Sequence, residues 1–337
     1  MTLTVAHGTA RFPAVAAPTV AQARELALEA VRAAGLSVAD IAQVVEYTTD
    51  PGAGTGGWPG VTLSVVAVEG LPGGNGAAVE VTAYLGGGER FSTPHGVVTV
   101  AGEVVYLPGI VPAPGVIGFR EQYRSCLEVA GELLKAAGLG LDALVQTTDY
   151  TATATRAEYP RCGRPRRDLL GGTGADGHPV HPGAAGILVD RPVAEGVMVT
   201  LDAVASRREL TAVNPGWSRY DTLTYKPGLA AGDTLFMSGF GALEPATQRA
   251  IFDDDLLAQA EFTYAGIKAV LREAGLTGEA VVRLVEYITP DAAARYHEVA
   301  ALRAKYFPGS PALTSVVCSA LLRPEFLIEV VPTAVFP

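Results

Sequence analysis

Residues 264–291, YAGIKAVLREAGLTGEAVVRLVEYITPD, predict a helix that ends in Ala-Gly-Leu and a strand that ends in an acidic residue followed by tyrosine. The pattern recurs in residues 26–50, LALEAVRAAGLSVADIAQVVEYTTD, and in residues 127–152, LEVAGELLKAAGLGLDALVQTTDYTA. The glycine, which is typical of a helix C-cap, is always twelve positions before the tyrosine. The three pairs are Gly35 and Tyr47, Gly138 and Tyr150, and Gly275 and Tyr287. This spacing indicates three copies of one structural unit.

Each unit is predicted to close with a strand hairpin. The last hairpin is residues 311–337, PALTSVVCSALLRPEFLIEVVPTAVFP, with a turn at residues 322–325. The second has its turn at Arg191 and Pro192, between GAAGILVD and VMVTLDAVAS, and the first joins VTLSVVAVEG to AAVEVTAYL. Units two and three are also predicted to open with a hairpin, which is shortened in unit one. Aligning the final strands makes Glu80, Thr200 and Glu329 equivalent.

Such a unit is an α+β layer that cannot cover both of its own faces. The sequence therefore predicts an α+β protein whose three tandem repeats form an intramolecular pseudo-trimer, with sheets inside and helices outside. We place the units at residues 1–87, 88–214 and 215–337. Glycine-rich insertions at residues 51–60 and 171–183 are expected to be surface loops. The helix of unit two that is rich in arginine is expected to start irregularly, because it contains Pro160 and Pro165.

Composition and charge narrow the class of protein. Hydrophobic residues make up 49% of the 337 and charged residues 18%, which is typical of a globular chain. A net charge of −10 argues against nucleic acid or an anionic membrane as a partner. No apolar run is long enough to span a membrane, no signal-peptide pattern is visible, and the three cysteines fit reduced thiols. We therefore expect a cytoplasmic protein. Its basic residues are mostly arginine, which suits bidentate binding of carboxylates.

The final strand carries one ionisable residue, Glu329, in the run FLIEVV. It either alternates out to solvent or is half-buried with a raised pKa, which would suit a general acid. Cys318 is by default a small buried hydrophobic residue, and strand alternation also allows it to line a pocket. No neighbouring base marks Cys318 as a nucleophile.

The third unit resembles the Rid/YjgF imine-deaminase family. The similarity covers TYKPGLAAGDTLFMSGFGALEP, the AGIKAVLREAGL helix, VEYITPDAAARYHEVAALRAKYFPG and the closing IEVV strand. It implies a chorismate-mutase-like fold, which in that family forms homotrimers with ligand sites between subunits. Where the family's carboxylate-binding arginine is expected, this chain has Thr314.

The whole chain resembles the chorismatase family, bacterial enzymes that split chorismate into pyruvate and a ring product. The most specific pieces are residues 238–243, SGFGAL, and the pair Cys318 and Glu329. In that family, alanine after Ser-Gly-Phe accompanies hydrolysis to a dihydroxycyclohexadiene carboxylate, and glycine accompanies 3-hydroxybenzoate. Gly241, with Ala242 beside it at the substrate, therefore implies a 3-hydroxybenzoate synthase. The resemblance implies Glu329 as the acid that protonates the enolpyruvyl group, Cys318 in a supporting role, and no cofactor.

Chorismate carries two carboxylates, so two arginines that reach the cleft between units two and three would suffice to bind it. From a cluster of four on one helix and a pair after the last strand of unit two, we choose Arg161 and Arg207. Most of the six are expected to form a solvated face; the full set is Arg161, Arg164, Arg166, Arg167, Arg207 and Arg208. Candidates for hydrogen bonds to a carboxylate or the ring hydroxyl are the tyrosines Tyr150, Tyr159 and Tyr225, and packing at an interface is the alternative for each.

The histidines lack metal-ligand spacing, so we expect no metal. Since a covalent pseudo-trimer has already buried its faces between units, we expect a monomer. Two other functions remain open: a Rid-type imine or enamine deaminase, and a non-catalytic pseudo-trimer that binds small ligands.

Overall fold

The computed structural model of the chain describes residues 3–52, 57–190 and 193–337. Unit one is a sheet covered by one helix, with strand order β1-β2-β5-β3-β4. Its elements are β1 (Thr4–Ala6), β2 (Thr9–Ala17), α1 (Val20–Ala33), a 3-10 turn (Val38–Asp40), β3 (Ile41–Thr48), β4 (Leu63–Ala67) and β5 (Ala77–Tyr84).

Unit two forms a sheet of order β12-β9-β13-β8-β7-β6, with α2 on its outer face and a separate small ribbon of β10 and β11. Its elements are β6 (Glu89–Thr93), β7 (Gly96–Ala101), β8 (Val104–Tyr106), α2 (Phe119–Ala136), a 3-10 turn (Leu141–Ala143), β9 (Leu144–Ala152), a 3-10 helix (Thr153–Cys162), α3 (Gly163–Leu169), β10 (Gly172–Thr173), β11 (Pro179–Val180), β12 (Gly183–Val189) and β13 (Val199–Ser206).

Unit three has the strand order β14-β15-β16-β20-β17-β18, and its short β19 pairs with β12 of unit two. Its elements are β14 (Leu210–Val213), a 3-10 turn (Ser218–Asp221), β15 (Gly228–Ala231), β16 (Thr234–Met237), α4 (Leu256–Glu273), a 3-10 turn (Gly278–Ala280), β17 (Val281–Ile288), α5 (Pro290–Ala293), a 3-10 turn (Tyr296–Glu298), α6 (Val299–Tyr306), β18 (Ala312–Val317), β19 (Ala320–Leu321) and β20 (Ile328–Val335). Strand β14 precedes the boundary placed at residue 214, yet it pairs with β15.

The three repeated helices end as their sequences predict. Just beyond α1, α2 and α4, the glycines have φ angles of 75°, 75° and 74°, the left-handed region that favours glycine. These glycines are Gly35, Gly138 and Gly275. At the other end of α4, the Asp255 side chain accepts the backbone N–H of Ala258, which is a regular N-cap. The helical part of the repeat is therefore encoded locally.

The predicted closing hairpins are wrong, because in each unit a third strand lies between the two closing strands. In unit three, β18 pairs in parallel with β17 and β20 pairs antiparallel with its other edge. Units one and two repeat this arrangement around β3 and β9. Two strands joined by a turn look alike in sequence whether or not another strand separates them. The opening hairpins β7–β8 and β15–β16 are confirmed. The turn predicted at Arg191 and Pro192, and residues 53–56 of the first glycine-rich insertion, lie outside the described residues.

The strand register also corrects the predicted equivalence of the acidic residues. Glu329 lies opposite Tyr287 and Thr200 lies opposite Tyr150, but the residue opposite Tyr47 is Ala78. Glu80 lies two positions away, opposite Val45. A shift of two residues leaves every side chain on the same face of the strand, so the apolar pattern cannot reveal it. Among these three equivalent positions, only unit three has a carboxylate.

The sheets face inward and the helices lie outside, as predicted. Each of α1, α2 and α4 covers its own apolar core, and a further core on the axis combines residues of all three units. The repeated tyrosines Tyr47, Tyr150 and Tyr287 all line a small axial cavity of about 60 Å³. The hydroxyls of Tyr150 and Tyr287 are 2.8 Å apart and form a hydrogen bond between units. Within the described ranges, no helix is long and apolar enough to cross a membrane.

Candidate functional site

A cleft of about 810 Å³ lies between units two and three. Unit two contributes the helical segment from Arg156 to Arg167 and the start of β12. Unit three contributes the loop that precedes β15, the loop after β16, one face of α4, and the end of β20 that carries Glu329. The cleft therefore forms where the prediction located it, between these two units.

Glu329 lies in the wall of the cleft and is 7% exposed. Burial and, to a smaller extent, the Asp149 carboxylate raise the pKa of Glu329, a backbone hydrogen bond from Gly186 lowers it, and the net pKa is about 8. Gly239 is necessary for this position, because a Cβ there would overlap Glu329 Oε1. Among the described residues that line the cleft, Glu329 is the one carboxylic acid. The site therefore holds a carboxyl group that is mostly protonated at neutral pH.

Gly241 also lines the cleft, in the loop that follows β16. A Cβ on Gly241 would overlap the ring of Phe326, which is 6% exposed and lines the same cleft. A glycine at this position leaves the space that the methyl group of alanine would fill. In the structure, the ring of Phe326 takes that room, so Gly241 acts on the shape of the cleft through Phe326.

Positive charge is concentrated in the cleft, but the two chosen arginines do not supply it. Arg161 does not line the cleft; its side chain is 65% exposed and pairs with Glu158 at 2.9 Å. Arg207 pairs with Glu89 at 3.5 Å, also outside the cleft. The arginines that do line it are Arg156, Arg166, Arg167, Arg219 and Arg323. The 3-10 helix that precedes α3 contains Pro160 and changes the rotation of successive side chains, so sequence spacing could not select the arginine that faces inward.

Two of the three predicted tyrosines line the cleft. Tyr159 donates a hydrogen bond to Asp149 Oδ1 at 3.2 Å, and Tyr225 packs edge-on against Tyr220 with ring centroids 5.5 Å apart. Tyr150 is instead buried on the axis, where it bonds to Tyr287. For Tyr150, the alternative of packing at an interface is the correct one.

Cys318 and Ala242 are completely buried and do not line the cleft. The Cys318 thiol donates to the Ile288 carbonyl at 3.4 Å, and burial raises its pKa, which disfavours the thiolate. The Ala242 carbonyl accepts the N–H of Ile251 at 3.0 Å. Cys318 therefore has the position of a small buried hydrophobic residue, which is its default interpretation, and Ala242 does not face the cleft as the resemblance implies.

Sequence reasoning missed Asp149, which lies behind Tyr159 and is fully buried. Burial raises the pKa of Asp149, whereas Arg166 and the hydroxyls of Tyr159 and Tyr123, at 3.2 and 3.1 Å, lower it. The net pKa is about 6. The available signal was the repeat itself: the acid before the repeated tyrosine is glutamate in units one and three and aspartate in unit two.

Across residues 3–52, 57–190 and 193–337, no three His, Cys, Asp or Glu side chains are grouped as metal ligands.

Comparisons with known proteins agree with this architecture. The family described as endoribonuclease L-PSP matches residues 220–336. Protein DfrA of Myxococcus xanthus is 40% identical over 95 residues, which are 28% of this chain and 70% of that protein. A crystal structure of a chorismatase has a TM-score of 0.63 and 13% identity, covering 88% of this chain and 93% of its own. A conserved Rid-family protein from Yersinia pestis is 25% identical, with a TM-score of 0.34, and covers 37% of this chain and 98% of its own. The match at 13% identity shows a common fold over nearly the whole chain.

Proposed function

The chain belongs to the endoribonuclease L-PSP family, also called Rid/YjgF, and on that premise we propose that it converts chorismate to 3-hydroxybenzoate and pyruvate. The observation that carries the proposal is Glu329, a buried carboxyl group with a raised pKa in a cleft that arginines line. The fold shared with a chorismatase and the glycine at position 241 support it.

In the proposed reaction, Glu329 donates its proton to the methylene carbon of the enolpyruvyl ether. The side chain becomes an oxocarbenium-like leaving group, and its bond from oxygen to the ring breaks as pyruvate forms. The neighbouring ring hydroxyl attacks the carbon that loses the ether, which gives an arene-oxide-like intermediate, and its proton returns to Glu329. Rearrangement of that intermediate to the aromatic ring yields 3-hydroxybenzoate. Chorismate and the two products contain the same atoms, so no water is consumed.

The electrostatics of the cleft suit both the acid and the substrate. A carboxyl group whose pKa is about 8 holds its proton at neutral pH and can give it to carbon. The guanidinium groups around it favour a ligand with two carboxylates. Because arginine stays charged, these groups can bind the substrate without competing for the proton of Glu329.

The deaminase alternative requires an arginine that binds the substrate carboxylate, and this chain has no arginine at the expected position. Thr314 occupies that position, and its hydroxyl donates to Glu80 Oε2 at 2.6 Å, in the contact between units one and three. The strand register makes Ser64 and Ala185 the equivalent residues of units one and two. Since none of the three is an arginine, we favour the chorismatase.

The proposal is tested by incubation of the protein with chorismate, with pyruvate measured enzymatically and the ring product identified by chromatography. We expect equal amounts of pyruvate and 3-hydroxybenzoate. Glu329→Gln should nearly abolish pyruvate release and leave chorismate binding intact, whereas the exposed Glu325→Gln should retain full activity. Turnover of 2-iminobutyrate without turnover of chorismate would support the deaminase. Binding without turnover of either compound would support a non-catalytic protein, and full activity of Glu329→Gln would remove Glu329 as the acid.

A further inference from the structure

Beyond the helix and strand of the repeat, units two and three share a spacing of three residues: an acid, a tyrosine and an arginine. In unit three, Tyr296 follows Glu286 by 10 residues and Arg303 follows it by 17. In unit two, Tyr159 follows Asp149 by 10 residues, and Arg166 stands at the same spacing as Arg303. The acid is at the end of a central strand in both units, and the arginine is on the helix that follows it. The two constellations are therefore equivalent, except that unit two has the shorter acid.

In unit three, this constellation is a closed and buried ion pair. Arg303 donates from Nε and Nη2 to the two oxygens of Glu286 at 2.8 and 2.7 Å. The hydroxyls of Tyr264 and Tyr296 complete the shell at 2.6 and 2.5 Å. Glu286 is fully buried and satisfied, which is the condition under which a buried charge is tolerated.

Unit one has the same closed form with a different arginine. Arg24, which is on the helix before the strand, donates to both oxygens of Glu46 at 2.5 and 2.7 Å. The indole N–H of Trp58 donates to the same carboxylate at 2.5 Å. An arginine paired with the glutamate before the repeated tyrosine is therefore common to units one and three.

In unit two, the ion pair is open. Asp149 is one methylene shorter than glutamate, and Tyr123 and Tyr159 both donate to its Oδ1, while Oδ2 has no hydrogen-bond partner among the described residues. Arg166 does not reach the carboxylate. Its Nη1 donates to the Tyr123 hydroxyl at 3.1 Å and to Thr147 Oγ1 at 3.0 Å, so Tyr123 stands between the two charges.

Arg166 is thereby left as a buried cation with spare donors. It is 4% exposed and lines the cleft. Nη2 donates to the Thr224 carbonyl at 3.1 Å, and Nε has no partner within the described part of the chain. Since a guanidinium has five N–H groups, one on Nη2 and the one on Nε remain unused. A buried charge without a direct counter-ion is costly, and an anion that enters the cleft relieves that cost.

We propose that the aspartate in unit two keeps this ion pair open, so that Arg166 becomes the anchor for a carboxylate of the ligand. The inference rests on the proposed function for the identity of that ligand, an unsaturated or aromatic ring acid. Asp149 acts as a positioning residue, because Tyr123 and Tyr159 connect it to Arg166 and to the cleft wall.

The test compares Asp149→Glu in unit two with the reverse substitution at the equivalent position of unit three, Glu286→Asp. Asp149→Glu restores the acid of units one and three and should draw Arg166 into a closed pair. We expect the Kd for 3-hydroxybenzoate, and the Kd for chorismate measured in the Glu329→Gln background so that chorismate is not consumed, to rise about tenfold or more by calorimetry, as for the loss of a hydrogen bond to a charged group. Glu286→Asp opens the pair in unit three, so it should lower the melting temperature and leave both Kd values unchanged.

Arg166→Gln supplies a second measurement that does not depend on how Asp149→Glu packs. The wild-type protein should prefer 3-hydroxybenzoate to its neutral amide, 3-hydroxybenzamide, and folded Arg166→Gln should lose that preference. Unchanged affinities in Asp149→Glu and an unchanged preference in Arg166→Gln would overturn the inference, as would a wild type that binds neither acid. A wild type that binds chorismate without releasing pyruvate would refute the proposed function and leave this inference standing.

Discussion

Glu329→Gln provides a test of the buried acid that does not require turnover. The ordinary pKa of the side chain is 4.5, and burial raises it to about 8 in the folded protein. The folded state therefore binds this proton more tightly than the unfolded state. As the pH rises from 4.5 towards 8, the unfolded chain loses the proton first, so the wild-type protein loses stability over this range. Glutamine has the same shape and no proton to lose.

The magnitude follows from the two pKa values. At 1.36 kcal/mol for each pKa unit, the wild-type protein should lose roughly 4 kcal/mol of unfolding free energy between about pH 5 and pH 9 through this group. Other groups titrate as well, but they are common to both proteins. The difference between wild type and Glu329→Gln should therefore change by that amount, in favour of the variant at high pH.

The assay is urea unfolding of both proteins at several pH values, with Glu325→Gln as the control. Glu325 is exposed in the turn just before β20, so its variant should follow the wild type at every pH. A constant difference between wild type and Glu329→Gln from pH 5 to pH 9 would refute the argument that Glu329 is buried with a raised pKa. It would also remove the physical basis for its role as the acid. Activity on chorismate should correspondingly decline as the pH rises through about 8.

Three further substitutions test other parts of the structure. Gly241→Ala should displace the ring of Phe326 and shift the product towards the dihydroxycyclohexadiene carboxylate, and an unchanged product ratio by chromatography would contradict the role of this position. Tyr150→Phe removes the 2.8 Å bond to Tyr287, so unfolding should become about 1 kcal/mol easier with KM unchanged. A raised KM would show that Tyr150 contacts the substrate. Arg161→Ala and Arg207→Ala each remove an exposed ion pair worth about 0–1 kcal/mol, so KM should stay at the wild-type value; a clear rise would show that these arginines reach the ligand.

Features that depend on neighbours in the chain could be predicted from the sequence. The three helix ends follow from glycines at fixed spacing, since a left-handed residue after the last turn is a local requirement. Glu329 was identified as a candidate acid because an ionisable residue in an apolar strand must either turn outward or change its pKa. The inward sheets follow from the number of units, because a single layer leaves one face uncovered.

Features that depend on distant partners could not be predicted. The sequence predicts hairpins for the closing strands, although β17 separates β18 from β20, and the alignment of the final strands places Glu80 two positions from its true register. No spacing rule selects Arg166 over Arg161 across an irregular helix that contains a proline. In each case, the deciding contact is made by residues that are far apart in the sequence.

The sequence by itself determined three repeated units, their helix ends and one carboxyl group suited to acid chemistry. Only the tertiary structure decided that Arg166 rather than Arg161 lines the same cleft as this carboxyl group, and that Tyr150 belongs to the axis. It also separated the closed pair of Glu286 and Arg303 from Asp149, whose Oδ2 has no hydrogen-bond partner among the described residues. The reason is physical: repeats and caps arise from contacts a few residues apart, whereas a cleft depends on the charge, burial and distance of side chains that only the packed units bring together.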